Sequence, residues 1–150
     1  FASKRSVEKT EKFNISDLIK NTVKKYENKN ITLELTNAVY INGRKNLIER
    51  CINNLIDNSI KYSNNIDIQL NKNKNYFSVI IDDDGPGISK KEYNNVFKPF
   101  YKIDKSRSDS KSGVGLGMSI ASDVVRSHGG SIVLDKSPQN GLRVKVIFPF

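Results

Sequence analysis

The chain has 150 residues, 37% of them hydrophobic, and a mean hydropathy of −0.52; that is enough for one domain with its own core, and no apolar run approaches the roughly 18 residues of a membrane span. A formal charge of +9 favours an anionic ligand or an acidic partner, but the lysines are scattered over residues 4–29, 61–74 and 90–111, without the interleaved aromatics of a nucleic-acid platform. The single Cys51 rules out a disulfide within the chain and a cysteine metal site, and reads as a small buried hydrophobe.

No signal-peptide pattern opens the chain, and a start at Phe1 rather than Met is expected of a piece cut from a longer protein. Residues 1–13 are rich in charge, poor in periodicity and read as a linker. Ser16 is a candidate N-cap, with Leu18, Ile19, Thr22, Val23 and Tyr26 following at helical spacing. Residues 31–35 alternate as a strand, and a short strand at 39–41 precedes a turn at Asn42-Gly43.

A second helix is predicted over residues 45–62. Ile48, Cys51, Ile52, Leu55 and Ile56 form its apolar stripe, while Asn54, Asn58, Lys61 and Tyr62 share an adjoining arc at about 100° per residue. Residues 66–70 and 76–81 read as a hairpin that runs into Asp83-Asp84-Gly85-Pro86-Gly87. A short helix is expected over 89–96, and a mobile polar loop over 104–113. A third helix is expected over 116–127, stopped by Gly129-Gly130, and a closing hairpin over 131–135 and 142–148. The hairpins argue against repeated βαβ units, so the expected fold is a two-layer α/β sandwich: a mixed, mainly antiparallel sheet with three main helices on one face. Neither glycine cluster spells a Rossmann fingerprint.

Asn58, Asp83-x-Gly85-x-Gly87, Phe97-Lys98-Pro99-Phe100 and Gly113-x-Gly115-Leu116-Gly117 resemble, in order and spacing, the N, G1, F and G2 boxes of sensor histidine kinases. The resemblance extends over residues 13–150 and implies a Bergerat-type ATP-binding domain at 14–150, with ATP and Mg²⁺ as cofactors. It implies that Asp83 accepts from the exocyclic amino group of adenine, where guanine carries an acceptor oxygen instead. Asn58 would ligate Mg²⁺ through its carbonyl, which suits a hard cation, and Asn54 would support phosphate or metal-bound water. Lys61 reads as a point charge for phosphate or as a surface lysine, and Tyr62 as a ring against adenine or a boundary tyrosine. Asp82 and Asp84 read as solvated or capping groups. Gly85 and Gly87 permit the turn and close approach of the base. The resemblance implies that Phe97 and Phe100 anchor a lid at 104–112; they also read as core aromatics. Arg107 in that lid reaches the γ-phosphate or is solvated. Gly113, Gly115 and Gly117 direct backbone N–H groups and a helix N-terminus at the phosphates.

Hydrolytic members of the wider superfamily carry a glutamate one turn before the metal-binding asparagine. Here that position is Asn54, so transfer to an outside nucleophile is expected, catalysed by positioning and charge stabilisation. The resemblance implies an acceptor histidine on an upstream dimerisation domain, a response regulator served by the full-length protein, and a cytoplasmic domain of an inner-membrane parent. It implies no nucleic-acid or direct membrane contact and a monomeric fragment. The one histidine, His128, reads as a helix-end residue. Three alternatives stand beside this reading: an ATPase of the topoisomerase class, a serine-protein kinase of the same fold, and a basic binding module without ATP.

Overall fold

The computed structural model describes residues 8–101 and 116–150. In chain order the elements are β1 (Glu11–Asn14), α1 (Ile15–Val23), β2 (Asn30–Leu35), β3 (Tyr40–Gly43), α2 (Lys45–Tyr62), β4 (Asn65–Lys72), β5 (Tyr76–Asp83), α3 (Gly117–Ser127), β6 (Ser131–Lys136) and β7 (Leu142–Pro149). β1 and β3 form an antiparallel ribbon; the other five strands form one sheet in the order β2-β4-β5-β7-β6. Only β2 and β4 run parallel, and α2 is the crossover that such a pair needs. The architecture is the expected two-layer sandwich. Among the described residues no helix is long and apolar enough to cross a membrane.

Strand alternation builds the core. Register places Leu33, Ile68, Ile81, Val144 and Leu134 in one row across the sheet, and Leu35, Leu70, Val79, Val146 and Ile132 in the next. These side chains face the helices, and the fully buried ones contribute about 1.5–3 kcal/mol each. The apolar stripe of α2 closes over them, with Ile48, Cys51, Ile52, Leu55 and Ile56 buried. Burial pushes the Cys51 thiol up to about 12, so it is an inert part of the packing.

Three local expectations change. The stretch read as linker contains β1, and Phe13 is part of the core. The cap of α1 is Asn14, whose carbonyl oxygen accepts from Ser16 N and from Val39 N, both at 3.1 Å; Ser16 itself is buried inside the helix. Instead of a helix over 89–96 there are two 3₁₀ turns, Lys90–Glu92 and Asn95–Phe97. Pro99 forces Lys98 into extended backbone, and Glu92 ties the segment by accepting from Asn95 Nδ2 and the Tyr101 hydroxyl.

The ends of α2 are fixed from outside. Arg44, at its N-cap, offers no side-chain cap. Glu8 supplies one instead, its two carboxylate oxygens accepting from Asn46 N at 2.7 Å and Leu47 N at 3.1 Å. Arg44 also donates to the carbonyl and hydroxyl oxygens of Ser127, which joins the start of α2 to the end of α3.

Candidate functional site

Alternation along β5 decides which aspartate is which. Phe77, Val79 and Ile81 face the helices, and Asp83 is the next residue in that series, so its carboxylate is carried into the sandwich at the end of the strand. It is 4% exposed. Oδ1 accepts from Gly85 N and from Leu142 N, each at 3.0 Å. Oδ2 makes no hydrogen bond among the described residues and remains an oriented acceptor. Burial raises the Asp83 pKa; the Leu142 and Gly85 N–H groups oppose this, and the charges of Asp84 and Asp82 add to it.

Its neighbours play other parts. Asp82 lies on the opposite face, 2% exposed, in a two-point ion pair with Arg143 Nε at 2.8 Å and Nη2 at 2.9 Å. The expectation that Asp82 is solvated or capping is corrected: Arg143 is its register partner on β7, and the pairing keeps the buried charge. Asp84 does cap, accepting from Asn64 N, Asn65 N and Asn65 Nδ2, and these bonds hold its carboxyl below the usual range.

The glycines serve backbone contacts. A Cβ on Gly85 would stand 2.5 Å from the carbonyl oxygen of Tyr62. Gly85 is thus required by the end of α2 as well as by the expected turn, in which its N–H donates to Asp83 Oδ1. Gly87 sits in the left-handed region, at φ 70°. Gly141 was given no role from sequence. A Cβ there would lie 2.2 Å from the Asp83 carbonyl oxygen and 2.4 Å from Oδ1. Ser137 was missed too: its hydroxyl donates to that same carbonyl at 2.6 Å. The run Ser137-Pro138-Gln139-Asn140-Gly141 announces a tight loop between strands, but nothing in it says that the loop closes on Asp83, more than 50 residues earlier.

α2 connects the two halves of the site. Tyr62, 46% exposed, abuts Gly85, and Lys61 is exposed beside it. Two turns earlier, Asn54 Cβ faces Gly117, at the start of α3. From Asn54 to Tyr62 the arc spans about 12 Å. Asn54 Nδ2 is buried with no hydrogen-bond partner, and the half-buried amide of Asn58 also makes no hydrogen bond among the described residues. Leu116 caps α3 without a side-chain bond to its first N–H groups. An unpaired buried amide at Asn54 beside the start of α3, where Leu116 makes no side-chain cap, suits an anionic ligand. Among the described residues no three His, Cys, Asp or Glu converge as a metal site, so an ion here would depend on amide oxygen and on the ligand's own phosphates.

The other expected residues divide. Phe97 packs partly buried against the core. Phe100 is 70% exposed, with left-handed backbone at φ 65°. Arg107, Gly113, Gly115 and the expected lid at 104–112 lie outside the described residues. His128 caps the end of α3. Its Nε2 accepts from Arg44 N at 3.1 Å, which assigns the ring proton to Nδ1, 2.8 Å from the Val124 carbonyl oxygen. Both ring nitrogens are engaged in structure, as a helix-end role requires. A cavity of about 150 Å³ lies at the opposite end of β5, lined by Tyr40, Phe77, His128, Phe148 and Phe150 among others. The donor and acceptor set, and not cavity size, marks the site.

Comparison with known proteins agrees with this fold. Residues 43–150 match the family described as histidine kinase-, DNA gyrase B-, and HSP90-like ATPase. Sensor histidine kinase CpxA of Escherichia coli (strain K12) is 32% identical over 108 residues, covering 71% of this chain and 24% of that protein. Sensor histidine kinase WalK of Bacillus subtilis (strain 168) is 32% identical over 117 residues, 75% of this chain and 19% of its own. The chain therefore spans about a quarter or less of each of these two relatives. Among solved structures, the nucleotide-free catalytic domain of histidine kinase ThkA superposes with a TM-score of 0.82 at 23% identity, covering 94% of this chain and 95% of that one. Mycobacterial sensor histidine kinase MprB gives 0.81 at 23% identity, covering 93% and 97%. At that identity the superpositions speak for the fold.

Proposed function

The chain belongs to the histidine kinase-, DNA gyrase B-, and HSP90-like ATPase family, and from that premise we propose that it is the ATP-binding catalytic domain of a two-component sensor histidine kinase. It passes the γ-phosphoryl group of Mg-ATP to a histidine on a separate, upstream dimerisation domain. The observation that carries the reading is the inward carboxylate of Asp83, with Oδ1 taken by two backbone N–H groups and Oδ2 left over as an acceptor for the adenine amino group.

Each residue then has a task. Asp83 selects the base, and Tyr62 borders it. Asn58 offers a carbonyl oxygen for Mg²⁺, which supplies charge neutralisation at the phosphates when bound. Asn54 holds phosphate or metal-bound water, Lys61 balances phosphate charge, and the N-terminus of α3 at Leu116 and Gly117 faces the triphosphate. The motif resemblance gives Gly113 and Gly115 to the phosphates and Arg107 to the γ-phosphate; all three lie outside the described residues. An amide at Asn54 takes no proton at neutral pH, so water is not activated there. In transfer, the acceptor imidazole nitrogen bonds to the γ-phosphorus as the bond to the β,γ-bridging oxygen breaks and ADP leaves. The parent protein carries this domain on the cytoplasmic side of the inner membrane and hands the phosphoryl group to a response regulator.

The test is labelled ATP mixed with the chain and a separately purified histidine-bearing dimerisation domain. Acid-labile label on the acceptor domain alone is the expected result. A stable phosphohistidine on the chain by itself, or rapid ATP hydrolysis without acceptor, overturns the proposal.

A further inference from the structure

The loop joining β6 to β7 is built around one hydroxyl. Ser137, 4% exposed, donates from Oγ to the Asp83 carbonyl oxygen at 2.6 Å and accepts at Oγ from Gly141 N at 2.8 Å. Its own backbone N–H donates to the Gly141 carbonyl oxygen at 3.0 Å, and its carbonyl accepts from Asn140 N at 3.0 Å, with Asn140 in the left-handed region. The next N–H along, that of Leu142, donates to Asp83 Oδ1. Gly141, between them, lies so close to Asp83 that no side chain fits. On its far side the loop is tied to the sheet, where Gln139 Nε2 donates to Asp67 Oδ2.

We propose that Ser137 is a positioning residue for base selection, acting through Asp83: its hydroxyl locks the loop that supplies the Leu142 N–H and so fixes which carboxylate oxygen faces the nucleotide. This rests on the reading of Asp83 as the adenine acceptor. The hydroxyl has one proton and spends it on the Asp83 carbonyl, while a lone pair takes the Gly141 N–H. Without it, a carbonyl and an N–H are stranded where water is excluded, and relief comes by moving the loop away from β5. The Leu142 N–H moves with the loop. Oδ1 loses one of its two partners, the carboxylate gains freedom to rotate, and the acceptor presented to the base is no longer set. Phosphate and metal contacts on α2 and α3 are unaffected by that rotation.

The consequence is specific. A loss of folded material lowers apparent binding of every nucleotide alike, whereas a misplaced Asp83 weakens adenine and leaves guanine where it was. The experiment compares the affinity for Mg-ATP and Mg-GTP in wild type, Ser137→Ala and the near-isosteric Ser137→Cys, with Asp83→Asn as the reference. We expect Ser137→Ala to lose roughly fivefold in Mg-ATP affinity with Mg-GTP unchanged, so that the ATP-to-GTP preference shrinks by the same factor, and Ser137→Cys to fall between. An unchanged preference in Ser137→Ala overturns the proposal. If Ser137→Ala is unfolded at the assay temperature, Ser137→Cys decides alone, by a smaller or an unchanged preference. A wild type with no preference for Mg-ATP, or an Asp83→Asn variant that retains it, removes the underlying reading of the site instead.

Discussion

Replacing Asp83 by asparagine separates what the residue does for the ligand from what it does to the fold. Its Oδ1 takes two backbone N–H groups, each at 3.0 Å. An asparagine keeps those bonds only by turning its own Oδ1 to them, which puts Nδ2 where the free acceptor stood. A donor then faces the adenine amino donor. Loss of a hydrogen bond to a charged group costs about 1.5–3 kcal/mol, roughly 10- to 150-fold in affinity. The donor–donor contact adds to that, so we expect Mg-ATP binding to fall roughly 100-fold or more. Mg-GTP, whose acceptor oxygen at the same place would meet that new donor, should hold or gain. The fold responds the other way. Burial makes the native state hold the Asp83 proton more tightly than the unfolded chain does, so the ionised carboxylate costs stability. That cost is complete above the raised native midpoint and vanishes below the ordinary aspartate value of 3.8. Asp83→Asn is therefore at least as stable as wild type at neutral pH, and the difference closes as pH falls from the native midpoint to 3.8. Calorimetric titration with Mg-ATP and Mg-GTP, together with urea unfolding across that window, reads both effects. A folded variant that binds Mg-ATP within roughly threefold of wild type refutes the reasoning.

Three further substitutions probe the surroundings. Asn54→Leu removes an unpaired buried amide; stability should hold or rise by about 1 kcal/mol, while Mg-ATP affinity falls roughly tenfold and adenosine binding without Mg²⁺ is unchanged, as urea curves and calorimetry will report. Arg143→Met strands the Asp82 carboxylate; since the guanidinium side chain is 31% exposed, a loss of about 2 kcal/mol is expected. Most of it should be regained in the Asp82→Leu/Arg143→Met double variant, measured as a double-mutant cycle. Glu8→Ala uncaps α2 and should cost about 1 kcal/mol at low salt and less at high salt, checked by urea midpoints at two ionic strengths.

The sequence was most readable where one local period settles the structure. Helical spacing of Ile48, Cys51, Ile52, Leu55 and Ile56 marks α2 and the face it buries. Two-residue alternation from Phe77 to Asp83 tells the inward aspartate from the outward one. Where partners are distant in the chain, local patterns are silent. Nothing near Asn14 shows that Val39 shares its cap, so the helix start is misjudged by a residue or two. The ion pair of Asp82 with Arg143 spans 61 positions, and the contacts of Ser137 and Gly141 with Asp83 span nearly as many. Gly85 illustrates a subtler miss. Its identity was legible, but the Tyr62 carbonyl that also demands it lies 23 residues earlier in the chain. Phe100 reads as an anchor by motif; the structure shows it 70% exposed with φ 65°.

The most direct test of the central claim is a Mg-ATP titration of isotopically labelled protein followed by amide chemical shifts. Binding should move the backbone amides of Gly85 and Leu142, which hold Asp83, the side-chain amides of Asn54 and Asn58, and the first N–H groups of α3. Mg-GTP should leave the Gly85 and Leu142 signals nearly in place. No shifts at saturating Mg-ATP, or shifts gathered instead around Tyr40, Phe148 and Phe150 at the far end of β5, contradict the account.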